Sequence, residues 1–187
     1  MTKPIELYTQ RLRLRQWHPD DKEAFAGLNA DPRVMEFFPG CLARAASDAM
    51  VERLQSLISE RGWGLWAVEI MGTAKFAGFV GLHIPTAELP FSPCVEVGWR
   101  LAFEHWGKGY APEAARAALQ FGFEVLHLSE IVSFTALCNR RSRSVMVKLG
   151  MREDPKTFEH PSLPVGHPLR EHCLYRLSQR DWHGAIA

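Results

Sequence analysis

Trp106-Gly107-Lys108-Gly109-Tyr110-Ala111 decides how this chain is read. The six residues lie between an apolar alternating run, 94–101, and a helical pattern that begins at Pro112. A glycine-rich turn that leaves a strand and opens a helix is an anion site. Its glycines let the backbone approach a phosphate, and the unpaired amides at the helix start donate to it. Lys108 adds a positive charge in the same turn. The stretch therefore points to a phosphorylated cofactor.

Two other phosphate loops are excluded. A Walker loop needs four residues between its glycines and then Lys-Ser or Lys-Thr. A dinucleotide fingerprint comes early in a βαβ unit and has a third glycine, where this chain has Pro112. A nicotinamide-dependent oxidoreductase would also need a parallel sheet, which the element order does not give. A tight turn with a solvated lysine is the competing reading of the six residues alone, and the segments around them weigh against it.

Outward from the loop, 126 back to 113 place Ala114, Ala118, Phe121 and Val125 on one helical stripe. Residues 130–136 read as a strand, 141–149 as a helix closed by Gly150, and 151–158 with 171–177 as a final strand pair. On the other side, 65–70, 76–84 and 95–101 read as strands, the first two joined by Met71-Gly72-Thr73 as a hairpin. Leu12 and Leu14 alternate with arginines as a half-buried strand, and helices are expected from Asp20-Asp21 to the Asp31-Pro32 break and over 43–60. The order gives an α+β domain with a mostly antiparallel sheet.

The 187 residues are 47% hydrophobic and 23% charged, which suits one domain spanning 1–187 with its core at about 9–182. A formal net charge of +1 gives no reason to expect nucleic acid or a membrane surface as partner. No run approaches the ~18 apolar residues of a membrane helix. Cys41, Cys94, Cys138 and Cys173 are far apart with no C-x-x-C, so neither a disulfide framework nor a zinc knuckle is suggested, and a reduced, cytoplasmic setting is expected.

The loop resembles the pyrophosphate loop of the GCN5-related N-acetyltransferases (GNAT), Arg/Gln-x-x-Gly-x-Gly/Ala, with Trp106 at the arginine position. Trp-Gly-Lys-Gly-Tyr-Ala is frequent in the branch that resembles the ribosomal-protein N-terminal acetyltransferases. Thr9-Gln10-Arg11-Leu12-Arg13-Leu14-Arg15 resembles that branch's opening strand, and Asp31-Pro32-Arg33-Val34-Met35 the turn after its first helix. Glu96-Val97-Gly98-Trp99 is similar to its fourth strand, and Asn139-x-x-Ser142-x-x-Val145-x-x-Lys148-Leu149-Gly150-Met151 to its strand-to-helix segment. The resemblance runs from about Thr9 to Trp182. It implies a seven-stranded, mostly antiparallel mixed sheet with a central splay and helices on both faces. It also implies an acetyl-CoA co-substrate without a metal, and a primary amine acceptor on a protein N-terminus or a small molecule. A monomer or homodimer is expected.

By resemblance, Trp106, Gly107, Lys108, Gly109, Tyr110, Ala111 and the following helix hold the pyrophosphate. Backbone groups of Trp99, Arg100 and Leu101 align the pantetheine and supply an oxyanion donor, and Asn139 faces the pantetheine or substrate. The tyrosine that protonates the leaving thiolate in many members aligns with Met146, which cannot donate a proton. Ser142 is the substitute, against its reading as a helix N-cap. Cys138 is near the expected thioester position but reads better as a small core residue. The base is open among Glu96, His83, His172 and water. Phe37 and Phe38, with Trp63 and Trp66, are candidates to line the acceptor pocket beneath the segment 37–43. The His160, His167, His172, Cys173 group fits no common zinc spacing. A module that binds acyl-CoA without catalysis is the rival, with Met146 as its support.

Overall fold

The computed structural model describes residues 3–186. The chain runs through β1 (Leu7–Tyr8), β2 (Leu12–Arg15), α1 (Asp21–Ala30), α2 (Arg44–Arg61), β3 (Leu65–Ile70), β4 (Ala74–His83) and β5 (Glu96–Leu101). It continues through α3 (Tyr110–Glu124), β6 (Glu130–Ala136), α4 (Arg140–Lys148), β7 (Arg152–Glu153), β8 (Phe158–Glu159), β9 (Glu171–Ser178) and α5 (Gln179–Ile186). Strand order is β1-β2-β3-β4-β5-β6-β9-β7, with β8 also on β9, and every pairing is antiparallel except β5 with β6.

Among the described residues the sheet has nine strands rather than the expected seven. Leu7–Tyr8 adds a short edge strand whose two residues carry no periodicity to read. The stretch 151–158 splits in two around Asp154-Pro155, where the Lys156 amide donates to Asp154 Oδ1 (3.0 Å) and turns the chain. Pro155 can give no ladder hydrogen bond, so one strand becomes two.

Helices cover both faces. Ala114, Ala115, Ala118 and Leu119 of α3 are fully buried against the sheet, and Trp66 meets Phe121 edge-on with ring centroids 5.6 Å apart. Val125 departs from the expected stripe. It caps the C-terminus of α3 and is 56% exposed, because the helix has already ended at Glu124. On the opposite face Trp17, Phe25 and Phe79 form an aromatic cluster, Trp17 to Phe25 5.0 Å and Phe25 to Phe79 6.0 Å. Alternation along β4 and β5 puts Phe79, His83, Glu96 and Arg100 on this α1–α2 face.

A buried arginine in this fold is fully paired where structure alone is at stake. Arg15 is buried at the end of β2, with two nitrogens donating to Asp21 at 2.8 and 2.9 Å. Its Nε donates to Glu69 (3.2 Å) and its Nη2 also to the Lys75 carbonyl (2.6 Å). A buried charge is tolerable only with such partners.

β5 and β6 run parallel but touch at one register pair, Glu96 with Val132. The Val132 amide donates to the Val95 carbonyl (2.9 Å) and Ser133 Oγ to the Val97 carbonyl (2.9 Å). Beyond that point the strands diverge, and the edge of β5 over residues 98–101 is left without a strand partner on that side.

Candidate active site

The divergence opens into a cavity of about 790 Å³ that passes between the two strands. One end is the glycine turn. Gly107 (φ 73°) and Gly109 (φ 80°) both hold the left-handed conformation that favours glycine, and nothing lies within 4 Å of a Cβ built on Gly107. Gly109 is the N-cap of α3, so the helix starts at Tyr110, earlier than the Pro112 expected from the pattern. Pro112 then sits in the first turn, where a missing N–H costs nothing. The first intrahelical bond is Glu113 N to Gly109 O (3.2 Å), which leaves the amides of Tyr110 and Ala111 free to meet an anion. The open space over Gly107 and the free amides of Tyr110 and Ala111 fit a pyrophosphate.

The loop is clamped by residues the motif did not name. Arg11 Nη1 donates to the Lys108 carbonyl (3.1 Å), and Arg11 forms an ion pair with Glu113 at 2.6 Å. Thr9 Oγ1 also donates to Glu113 (2.6 Å), and the Arg11 guanidinium covers the Tyr110 ring at 4.6 Å. Glu113 could have been noticed as an acidic residue in the first turn of a helix. Its partner 102 residues away could not. Trp106 packs inward and donates Nε1 to the Leu101 carbonyl (2.8 Å), joining the loop to the end of β5. Lys108 does not line the cavity.

Asn139 caps α4, its Oδ1 accepting from the Ser142 amide (3.2 Å). The cap is therefore Asn139, not Ser142. Asn139 Nδ2 donates to Ser142 Oγ (3.1 Å) and to Thr135 Oγ1 (2.9 Å), so Ser142 keeps its own proton available. Both residues line the cavity. Met146 is buried beside them. Cys138 is exposed and does not line the cavity, contrary to the core role expected of it, because it lies in the turn between β6 and α4.

At the other end of the splay, His83 and Glu96 are register partners on β4 and β5, with Nε2 to Oε2 2.7 Å. Burial acts to lower the pKa of His83, but the hydrogen bond and charge of Glu96 outweigh it and hold the pKa above the ordinary histidine value. Sequence offered the two as alternatives; the register makes them one unit. Phe37, Phe38 and Pro39 form a wall of the cavity, while Trp63 and Trp66 do not reach it. Trp66 is fully buried and donates Nε1 to the Ile5 carbonyl (2.7 Å). Arg141 joins Glu36 in an ion pair and lies over Trp106 (4.8 Å) and Phe37 (5.4 Å), tying the α1–α2 segment to α4.

His172 lies in β9, its ring tilted at 41° to that of His160 with centroids 4.9 Å apart. Burial lowers the pKa of both rings. Among the described residues no group of three or more His, Cys, Asp or Glu side chains is placed to hold a metal.

The chain matches the model of the acetyltransferase (GNAT) domain over residues 11–152. It is 33% identical to the Bacillus subtilis protein YkkB over 88% of this chain and 95% of that one. It is 28% identical to the FsC-acetyl coenzyme A-N(2)-transacetylase of Aspergillus fumigatus over 94% of this chain and 77% of that protein. The crystal structure of a GNAT-family acetyltransferase from Bacillus anthracis superposes with a TM-score of 0.77 at 25% identity, covering 94% of this chain and 99% of that one. With its glycine loop at a helix start and its splayed strands, the chain belongs to the GNAT acetyltransferase family and is an acetyl-CoA-dependent acyltransferase.

Proposed function

We propose that the protein acetylates a primary amine by direct attack within a ternary complex, with the His83–Glu96 pair receiving the amine's proton. The observation that carries this reading is the 2.7 Å contact between the two side chains on the cavity wall next to the splay. Acetyl-CoA supplies the thioester carbon that a neutral amine attacks. The loop from Trp106 to Ala111 and the start of α3 hold its pyrophosphate, and the free edge at Trp99, Arg100 and Leu101 aligns its pantetheine, with Asn139 opposite. Holding both partners in one cleft supplies much of the acceleration. A backbone N–H of that edge stabilises the oxyanion. Ser142, whose oxygen already accepts from Asn139, delivers a proton to the departing thiolate.

The acceptor is an amine of a protein N-terminus or of a small molecule. The wall made by Phe37, Phe38 and Pro39 and the Glu36–Arg141 tie favour the smaller one, as does the similarity to a transacetylase named for an N(2) position. His172 is the secondary base, on the β9 side of the cavity.

Thiol release from acetyl-CoA in the presence of an amine panel tests the reading directly. Acceptor-dependent release is expected. Protein that binds acetyl-CoA yet releases no thiol with any amine would instead support the binding-only role that Met146 suggests.

The active form of the base is neutral His83, so kcat/KM is expected to rise with pH through the His83 pKa. Glu96 raises that pKa, so the rising limb of the wild type lies above 6.5, and in Glu96→Gln it moves to lower pH. Identical limbs in the two proteins would show that another group titrates. For the cofactor end, Gly109→Val forces a β-branched residue to φ near 80°, at a cost of about 1–3 kcal/mol, and crowds the phosphate approach. The affinity for CoA, measured by calorimetry, is expected to fall at least about tenfold.

A further inference from the structure

Among the described residues, Arg100 is the one buried arginine whose guanidinium the fold leaves largely unpartnered. It is 9% exposed, yet its one hydrogen bond is from Nη1 to Asn29 Oδ1 (2.6 Å). Asn29 is itself fully buried and fixed by Ser47, to whose Oγ it donates at 2.9 Å. The Arg100 Nε is buried without a partner. Among the described residues no carboxylate pairs with Arg100, and burial alone pushes its pKa down to about 10. The guanidinium lies 4.0 Å from the Phe38 ring centroid and 5.4 Å from that of Phe79, and the residue lines the cavity. Arg15 shows how this chain pairs a buried arginine when the need is structural. A buried cation held by one amide oxygen and two aromatic faces is a costly arrangement, and it is relieved by an incoming anion.

Register places that cation relative to the proton acceptor. His83 pairs with Glu96, Gly81 with Gly98, and Phe79 with Arg100, all on one face. Of the two glycines between the His83–Glu96 pair and Arg100, Gly98 borders the cavity and forms its floor there. A Cβ built on Gly98 meets nothing closer than Glu96 Oε1 at 3.9 Å and Leu65 Cδ2 at 4.0 Å, so the space above it is open. The strand rise sets the Cα atoms of 96 and 100 about 13 Å apart, with Gly98 between them.

We propose that Arg100 seats a carboxylate carried by the acceptor, so that the substrate is a small amino acid-like amine, its carboxylate on Arg100 and its amine over Gly98 toward His83 and Glu96. This rests on the acetyltransferase reading above and narrows it. A charge-assisted bidentate contact in a dry site contributes about 1.5–3 kcal/mol, which corresponds to roughly 10- to 150-fold in binding. The α-carboxamide of an amino acid has the less basic amine and is the better nucleophile near neutral pH. A preference for the carboxylate therefore reports binding rather than reactivity.

The test compares matched pairs, each an amino acid and its carboxamide, at α-, β- and γ-amine spacing, in wild type, Arg100→Met and Arg100→Lys. Wild type is expected to favour the carboxylate of at least one pair by about tenfold or more in kcat/KM, expressed in KM. Arg100→Met erases that preference and Arg100→Lys retains part of it, both read as the acid-to-amide ratio at saturating acetyl-CoA, because the Arg100 backbone belongs to the pantetheine edge. A second arm does not depend on turnover: calorimetric titration of the CoA-loaded protein with each N-acetyl amino acid and its amide. Tighter binding of the acid, lost in Arg100→Met, supports the carboxylate seat even if no amine is turned over, in which case only the catalytic reading fails. Should Arg100→Met not fold, Gly98→Val is the second variant. It obstructs the floor, and acid binding is expected to weaken with CoA affinity kept. Equal use and equal binding of acid and amide in wild type, or equal loss of both in Arg100→Met, overturns the proposal.

Discussion

His83→Ala is expected to lower kcat by about 10²- to 10³-fold at neutral pH, within the range that a positioned general base contributes. The physical reason is the pairing itself. His83 Nε2 lies 2.7 Å from Glu96 Oε2, the two residues face one another across β4 and β5, and both border the cavity next to the point where β5 and β6 part. Glu96 is 9% exposed, so its charge acts on the ring with little screening. Glu96→Gln keeps the size and the hydrogen bond but removes the charge, so its loss is smaller, about tenfold. The double variant is expected to be no slower than His83→Ala alone, because residues acting as one unit are not additive. Steady-state rates at saturating acceptor, with CoA affinity measured alongside, check this. A His83→Ala enzyme within about fivefold of wild type would mean that water or His172 takes the proton.

The sequence carried the phosphate loop and the order of elements well, since both depend on local chemistry. Gly107 and Gly109 are needed where φ is positive, Gly62 and Gly150 end helical segments, and the Ala114, Ala118, Phe121 stripe needs only the helical period. What escaped it depends on partners far along the chain. Twelve residues lie between His83 and Glu96, all of them in a proline-containing loop, so periodicity gave each strand its faces but not the register that joins the two side chains. Sequence placed the Arg100 backbone on the pantetheine edge but said nothing of its side chain. Its burial comes from Asn29 and Phe38, more than 60 residues earlier. Arg11, expected in the opening strand, lies in the bend just before β2, and its grip on Glu113 and the Lys108 carbonyl had no local signal. The competing reading of Ser142 as the cap of α4 falls to Asn139, whose side chain accepts from the Ser142 amide. Val125 and Cys138 failed for a simpler reason, since an apolar residue at the end of a helix or in a tight turn has no packing partner to bury it.

Gly78→Ala is expected to be the most destabilising of the single-methyl additions, by about 4 kcal/mol, and to remove most activity at the temperature where wild type works. Two costs combine. Gly78 has φ 134°, a conformation L side chains rarely adopt, which costs about 1–3 kcal/mol. A Cβ there would lie 2.1 Å from the Arg100 carbonyl oxygen and 2.7 Å from Leu101 Cα. Those are backbone atoms in the next strand, so no rotamer change relieves the clash, and overpacking adds about 1–3 kcal/mol. For a chain of this size each kcal/mol lowers Tm by about 2–4 °C, so a drop of about 8–16 °C is expected in a calorimetric or circular-dichroism melt. The damage is also directional. Gly78 pairs with Leu101, so the methyl pushes outward the end of β5 that carries Arg100 and the pantetheine edge. Activity should therefore fall even below the melting transition, with the KM for acetyl-CoA rising. Gly40→Ala, where nothing lies within 4 Å of the added carbon, is the matched control and should stay within about 0.5 kcal/mol of wild type. A Gly78→Ala protein that melts with the control would mean that β4 and β5 are not held in the register that joins Arg100 to the floor of the cavity.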